Sequence, residues 1–183
     1  AAAQLVVALA ALDGAGGHPV DRIEHAAVGP DDILADLVGS GVTVVTQPNF
    51  VAERGDQYLH DVPGTEHHEL WRVATLREAG VPVALSTDAP FGDADPWAAM
   101  RAAVSRRTPS GEVLGARERV SAAEALAMFL GDPLRPAGPR RIAPGEPGDL
   151  CVLSEEPQRI LADLDAEMGA ATVVAGQVVF ERR

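Results

Sequence analysis

Two hydrophobic periodicities alternate along the first two thirds of the chain. An opening stretch with Leu5, Leu9 and Leu12 at helical spacing ends at Gly14, which predicts a helix and its stop. VDRIEHA (20–26) then predicts a short strand, and PDDILADLVGSG predicts a helix with Pro30 and two acids at its start and glycine at its end. VTVVTQ (42–47) is apolar on both faces, as a buried strand is. Thr65 is placed to cap a helix running through EHHELWRVATLREAG to Gly80, and VPVALS (81–86) predicts the third strand.

Further on, Asp95-Pro96 begins a helix through WAAMRAAVSRR, and Ser121 with Glu124 three residues later forms a capping-box pattern before AAEALAMFL. Strands apolar on both faces that alternate with helices predict an α/β fold with a parallel sheet. The texture then changes. Residues 132–147 are rich in proline and glycine and are expected as a linker, after a first domain over 1–131 and before a β-rich segment over 148–183. That segment contains GDLCVLS and ATVVAGQVVFERR, the latter with a glycine turn inside it.

Charge narrows the partners. Acids outnumber bases 27 to 15, for a formal net charge of −12, which repels nucleic-acid phosphates and anionic membrane surfaces. All the basic residues are arginine, so Schiff-base chemistry and a phosphate-loop lysine are excluded within these residues. The single cysteine, Cys151, allows no internal disulfide and leaves a cytoplasmic location as the expectation. The chain has no initiator methionine and opens as if inside a helix, so it is expected to be a portion of a longer protein.

In parallel α/β folds reactive groups gather at the C-terminal ends of strands. Those ends carry His25 with Glu24 beside it, Gln47 and Asn49 around Pro48, and Asp88 after Ser86-Thr87. Imidazole and carboxylate are ordinary ligands of a divalent metal, so His25 and Asp88 are candidates to share one. Each also has a plain structural role open to it: backbone bonding for His25, a turn cap before Pro90 for Asp88. Strand alternation turns Glu24 away from His25, so it receives no catalytic role.

The segments RIEHA, TQPNF, STDAP and the closing β unit, in this order, resemble the C-terminal part of the metal-dependent amidohydrolase superfamily. The resemblance is nearest to amidohydrolase family 3, in the branch of the N-substituted formamide deformylases. It implies that the three strands are strands six to eight of a (β/α)8 barrel and that residues 148–183 belong to a small accessory β-sandwich. It makes His25 the strand-six metal ligand, and Asp88 the strand-eight carboxylate that binds metal or the attacking water and moves its proton. The implied reaction is hydrolysis of a non-peptide C–N bond in a small amide-like substrate, with one or two divalent ions, zinc by expectation.

The family's remaining ligands come from earlier barrel strands: a His-x-His pair, in many members a carboxylated lysine, and a further histidine. None of these motifs occurs here. The metal site is therefore expected to be half present, and the isolated chain inactive. A missing N-terminal barrel half or a second copy is expected to close the sheet edges. The alternative is a non-catalytic remnant that pairs those edges with another chain.

Residues 48–64 are expected as a loop over the site mouth. Gln47, Asn49, Asp56, Tyr58 and His60 are its candidate substrate-facing groups, against a surface loop packed by Phe50 and Tyr58. His67 and His68 read as a solvated helix face, and His18 lies at the opposite end of the strands. Trp71 and Trp97 read as packing residues, and Arg106-Arg107 as a solvated helix end.

Overall fold

The computed structural model of the chain describes residues 2–182. It divides into two compact units, Ala1–Pro139 and Arg140–Arg183. No helix among the described residues is long and apolar enough to cross a membrane.

The first unit is built on three parallel strands in spatial order β1 (Arg22–Glu24), β2 (Thr43–Thr46) and β3 (Val83–Leu85). The register pairs Ile23 with Val44 and Val44 with Val83, so these three share one face and are buried. Glu24, Val45 and Ala84 share the other face, where Glu24 pairs with Arg22 at 2.6 Å. Helices alternate with the strands: α1 (Ala2–Gly14) before β1, α2 (Leu34–Ser40) between β1 and β2, α3 (Asn49–Asp61) and α4 (Ala74–Glu78) between β2 and β3, then α5 (Pro96–Ser105) and α6 (Ala122–Ala127). Among the described residues β1 pairs only with β2; at β3 the Leu85 N–H also donates to the Met128 carbonyl.

Local sequence explains most of the ends. Pro96 stands in the first turn of α5, and the Asp95 carboxylate accepts the Trp97 N–H. The predicted capping box is complete at α6, with Ser121 and Glu124 each bonding the other's backbone N–H. Gly41 ends α2 in the left-handed conformation that glycine adopts without strain.

Four expectations are corrected. Residues 49–61 are helix α3 rather than loop: Phe50, Val51 and Gly55 turn inward, and a Cβ on Gly55 would stand 2.5 Å from a Thr108 methyl. The helix expected over 65–80 is broken into a 3-10 stretch (Gly64–Glu69) and the short α4, without a Thr65 cap. Arg106 is not solvated but fully buried, and it is the reason for that break, as set out below. Within the stretch expected as linker, β4 (Gly131–Asp132) and β5 (Arg135–Pro139) form an antiparallel hairpin.

The second unit is an antiparallel meander of β6 (Leu150–Leu153), β7 (Gly169–Val174) and β8 (Gln177–Glu181), with α7 (Pro157–Asp163) between its first two strands. Ile160, Leu164 and Met168 are its buried apolar residues. Ala175 and Gly176, both at positive φ, turn β7 into β8.

Candidate metal centre at the strand ends

Interstrand hydrogen bonds fix where the chain leaves the sheet. The His25 N–H bonds the Val45 carbonyl at 2.8 Å, and the Ser86 N–H bonds the Thr46 carbonyl at 3.0 Å. Immediately beyond, the backbone turns into the left-handed region at His25 (φ 69°) and again at Asp88 (φ 57°). Neither is glycine, and such conformations persist in non-glycine residues only where the surroundings enforce them. His25 is exposed and Asp88 half-buried.

The surroundings of His25 are rigid. After it, the Trp71 N–H bonds the Ala27 carbonyl, the Gly29 N–H bonds the Glu69 carbonyl, and Val28 bridges Leu70. Residues 69–71 thus brace residues 27–29 through one isolated antiparallel bridge. What holds 69–72 in place of a helix is a buried guanidinium. Arg106 donates to the carbonyls of Leu114 (2.9 Å), Trp71 (2.8 Å) and Leu70 (2.8 Å), and a continuous helix would have spent the last two on its own amides.

Glu118, also buried, accepts the N–H groups of Val73 and Thr75 at 3.0 Å each and the Thr75 hydroxyl, and so starts α4. Burial draws the Arg106 guanidinium down to about 10, still charged at neutral pH, with Glu118 opposing the fall. Trp71, at φ 49°, meets His25 edge-on with ring centres 6.4 Å apart, and Phe50 and Tyr58 pack beside the indole.

Asp88 sits in a tight turn whose Phe91 and Gly92 N–H groups bond its carbonyl at 2.8 and 3.0 Å. Gln47 and Asn49 reach this turn from below. The Gln47 amide nitrogen donates to Val45 and to the Ser86 hydroxyl (2.8 Å), and that of Asn49 to the Thr87 carbonyl (3.1 Å) and Glu53 (2.9 Å). Val45 and Thr87 offer only carbonyl acceptors at these contacts, so the two amides must face them with their NH2 groups. Their oxygens are left buried and without a partner among the described residues.

The other nominated residues lie apart. Asp56 accepts the Ser110 N–H (2.9 Å) and hydroxyl (2.7 Å); bonding from the Thr108 and Ser110 hydroxyls holds its carboxyl below the usual range. His60 is 88% exposed and pairs with Asp61 at 2.7 Å, about 16 Å along α3 from Asn49. The Tyr58 hydroxyl is half-buried, and burial raises its pKa. His67 bonds the Val62 carbonyl, and His68 lies 3.9 Å from Asp31. Sequence reasoning missed Trp71 as the neighbour of His25, and missed Glu53, Arg54 and Gly92 around Asp88. No local motif marks any of them.

One imidazole and one carboxylate, presented from strands on either side of β2, have the donor chemistry of a divalent-metal site. Two donors do not close such a site, and among the described residues no group of three or more His, Cys, Asp or Glu gathers to hold an ion.

Two solved structures of similar fold are metal-dependent hydrolases. An uncharacterized metal-dependent hydrolase of Pyrococcus furiosus superposes with a TM-score of 0.59 at 32% identity, over 70% of this chain and 25% of that protein. One from Pyrococcus horikoshii OT3 superposes with a TM-score of 0.61 at 28% identity, over 70% and 26%. A family model described as the amidohydrolase family matches residues 1–180. The N-substituted formamide deformylase of Arthrobacter pascens is 33% identical over 144 residues, 74% of this chain and 26% of that enzyme. The chain belongs to the amidohydrolase family. It spans about a quarter of the length of these relatives.

Proposed function

We propose that these residues are the C-terminal part of a metal-dependent hydrolase that cleaves non-peptide C–N bonds in small amide-like molecules. In this reading β1, β2 and β3 are strands six to eight of a (β/α)8 barrel, the second unit belongs to an accessory β-sandwich, and the protein is cytoplasmic. The observation that carries the reading is the matched left-handed exit of His25 and Asp88 at the same end of the two parallel strands that flank β2. His25 would hold a divalent ion, zinc by preference, together with donors from the rest of the barrel. The ion, one or a pair, supplies a polarised substrate carbonyl and a water acidic enough to lose its proton near neutrality.

Asp88 accepts that proton from the water and returns it to the leaving nitrogen, so that the amine departs neutral. The amide oxygens of Gln47 and Asn49 are buried and unpartnered, so the partner they suit is an enclosed water rather than the substrate itself. Asp56 is occupied by Ser110 and His60 faces solvent, so neither is assigned a part.

In the complete protein, Asp88→Asn is expected to lower formamide hydrolysis by about 10²- to 10⁴-fold, and His25→Ala to lower the bound metal measured by elemental analysis. Wild-type turnover in Asp88→Asn overturns the reading. The bare side of β1 and the two-donor count favour a second reading for the chain alone, a non-catalytic module that pairs with another chain. Zinc-dependent turnover by the purified 183-residue chain, lost in Asp88→Asn, would sink that one.

A further inference from the structure

The turn that carries Asp88 is fastened to one side of α3 by side chains that the proposed reaction does not use. Glu53 lies one helical turn beyond Asn49, and its Oε1 accepts two bonds at once, from the Asn49 amide at 2.9 Å and from the Asp93 N–H at 3.1 Å. The same Asn49 nitrogen donates to the Thr87 carbonyl, so Asn49 holds the Thr87 end of the segment 87–93 to the helix, Glu53 holds the Asp93 end, and the two side chains bond each other.

Next to it, the Arg54 guanidinium lies 4.1 Å from the centre of the Phe91 ring and 5.2 Å from that of Phe50, and the two rings meet edge-on at 5.8 Å. Phe91 is 63% exposed, so burial does little to hold its ring, which is restrained by the cation above its face and by the edge-on contact with Phe50. The fit underneath is close: a Cβ on Gly92 would stand 2.2 Å from the Thr87 oxygen and 2.6 Å from the Asn49 nitrogen.

We propose that Glu53 and Arg54 are positioning residues for Asp88, a staple that keeps its turn in the one conformation from which the carboxylate reaches the site. The proposal rests on the role given to Asp88 above. An ordered turn would form from many sequences; what singles out this one is that Asp88, at φ 57°, lies in a turn fastened through Asn49, Glu53 and Arg54 of a single helix. The carboxylate of Glu53 acts here only as an acceptor. A glutamine in its place keeps that acceptor and loses the charge.

The test uses the complete protein with its metal. Glu53→Ala, a change on the exposed side of α3, is expected to speed amide hydrogen exchange of residues 86–93 by roughly tenfold and to lower kcat by roughly tenfold with KM within about twofold. Glu53→Gln is expected to restore both. Arg54→Gln is expected to give the same pattern at smaller amplitude. In an Asp88→Asn background, adding Glu53→Ala is expected to leave the residual rate unchanged, because the staple acts through Asp88.

Unchanged exchange at 86–93 in Glu53→Ala overturns the staple, as does a full further loss of rate on top of Asp88→Asn. Failure of the catalytic reading looks different: Asp88→Asn keeps wild-type activity while the exchange result still decides the staple.

Discussion

His25 and Asp88 leave one sheet by the same backbone device, yet the segments behind them are held by opposite chemistry. Behind His25 stands a buried frame, in which Arg106 at 0% exposure spends three donors on backbone carbonyls and buried Glu118 organises the following turn. Behind Asp88 stands a surface fastening of one shared carboxylate oxygen and a cation over an exposed ring. The difference teaches that a ligand's precision and a fold's stability need not come from the same contacts. The His25 side is bound into the core, so disturbing it should cost folding. The Asp88 side is peripheral, so disturbing it should cost function first.

Arg106→Met tests the first half most severely. It orphans three buried carbonyls, while Glu118 keeps the buried Arg72 guanidinium 3.6 Å away, and the expected loss is about 3–5 kcal/mol in urea denaturation. A loss below about 1 kcal/mol would erase the contrast. Gly92→Ala tests the other half. The added methyl has no room beside Thr87 and Asn49, so the turn must shift, at about 1–3 kcal/mol. The expectation is a larger relative fall in kcat than in stability.

Ser121→Ala serves as a reference that touches neither region. It removes a complete capping box, for about 1 kcal/mol of stability and no change in kcat. The smallest effect concerns acid. Glu124 is held down to about 2 by the Arg77 guanidinium first and by Ser121, below its ordinary 4.5. A depressed carboxyl contributes stability that is full above its unfolded value and is lost as pH falls from about 4.5 through about 2. Because both partners of the Arg77–Glu124 pair are more than a third exposed, solvent screening limits the contribution to under about 1 kcal/mol. Arg77→Ala should flatten that part of the stability–pH curve; an unchanged curve would remove the pair from the account.

Much of this was legible in the order of residues. The three strands announced themselves as apolar runs, and the polar residues that close them, His25, Gln47 and Asp88, stand where the sheet ends. Caps written in adjacent residues, Asp95-Pro96 and Ser121 with Glu124, formed as expected. What escaped was everything decided at long range. The break at Leu70 and Trp71 depends on a guanidinium more than thirty residues later, and a local reading of EHHELWRVATLREAG sees only its helical spacing and its glutamates, leucines and arginines. The helix over 49–61 was hidden because its inward face is short and its polar residues outnumber the apolar ones. Glu53 looks like any solvated acid until the Asp93 N–H is brought against it.

The edge-on contact between Trp71 and His25 has an optical consequence. The chain has two tryptophans, and the second, Trp97, begins α5. With Trp97→Phe, the remaining emission comes from an indole that touches the nominated ligand, within 6.4 Å of its ring centre. A copper or cobalt ion arriving at His25 would quench that light, so the protein carries its own lamp beside the place where a metal would first be seen.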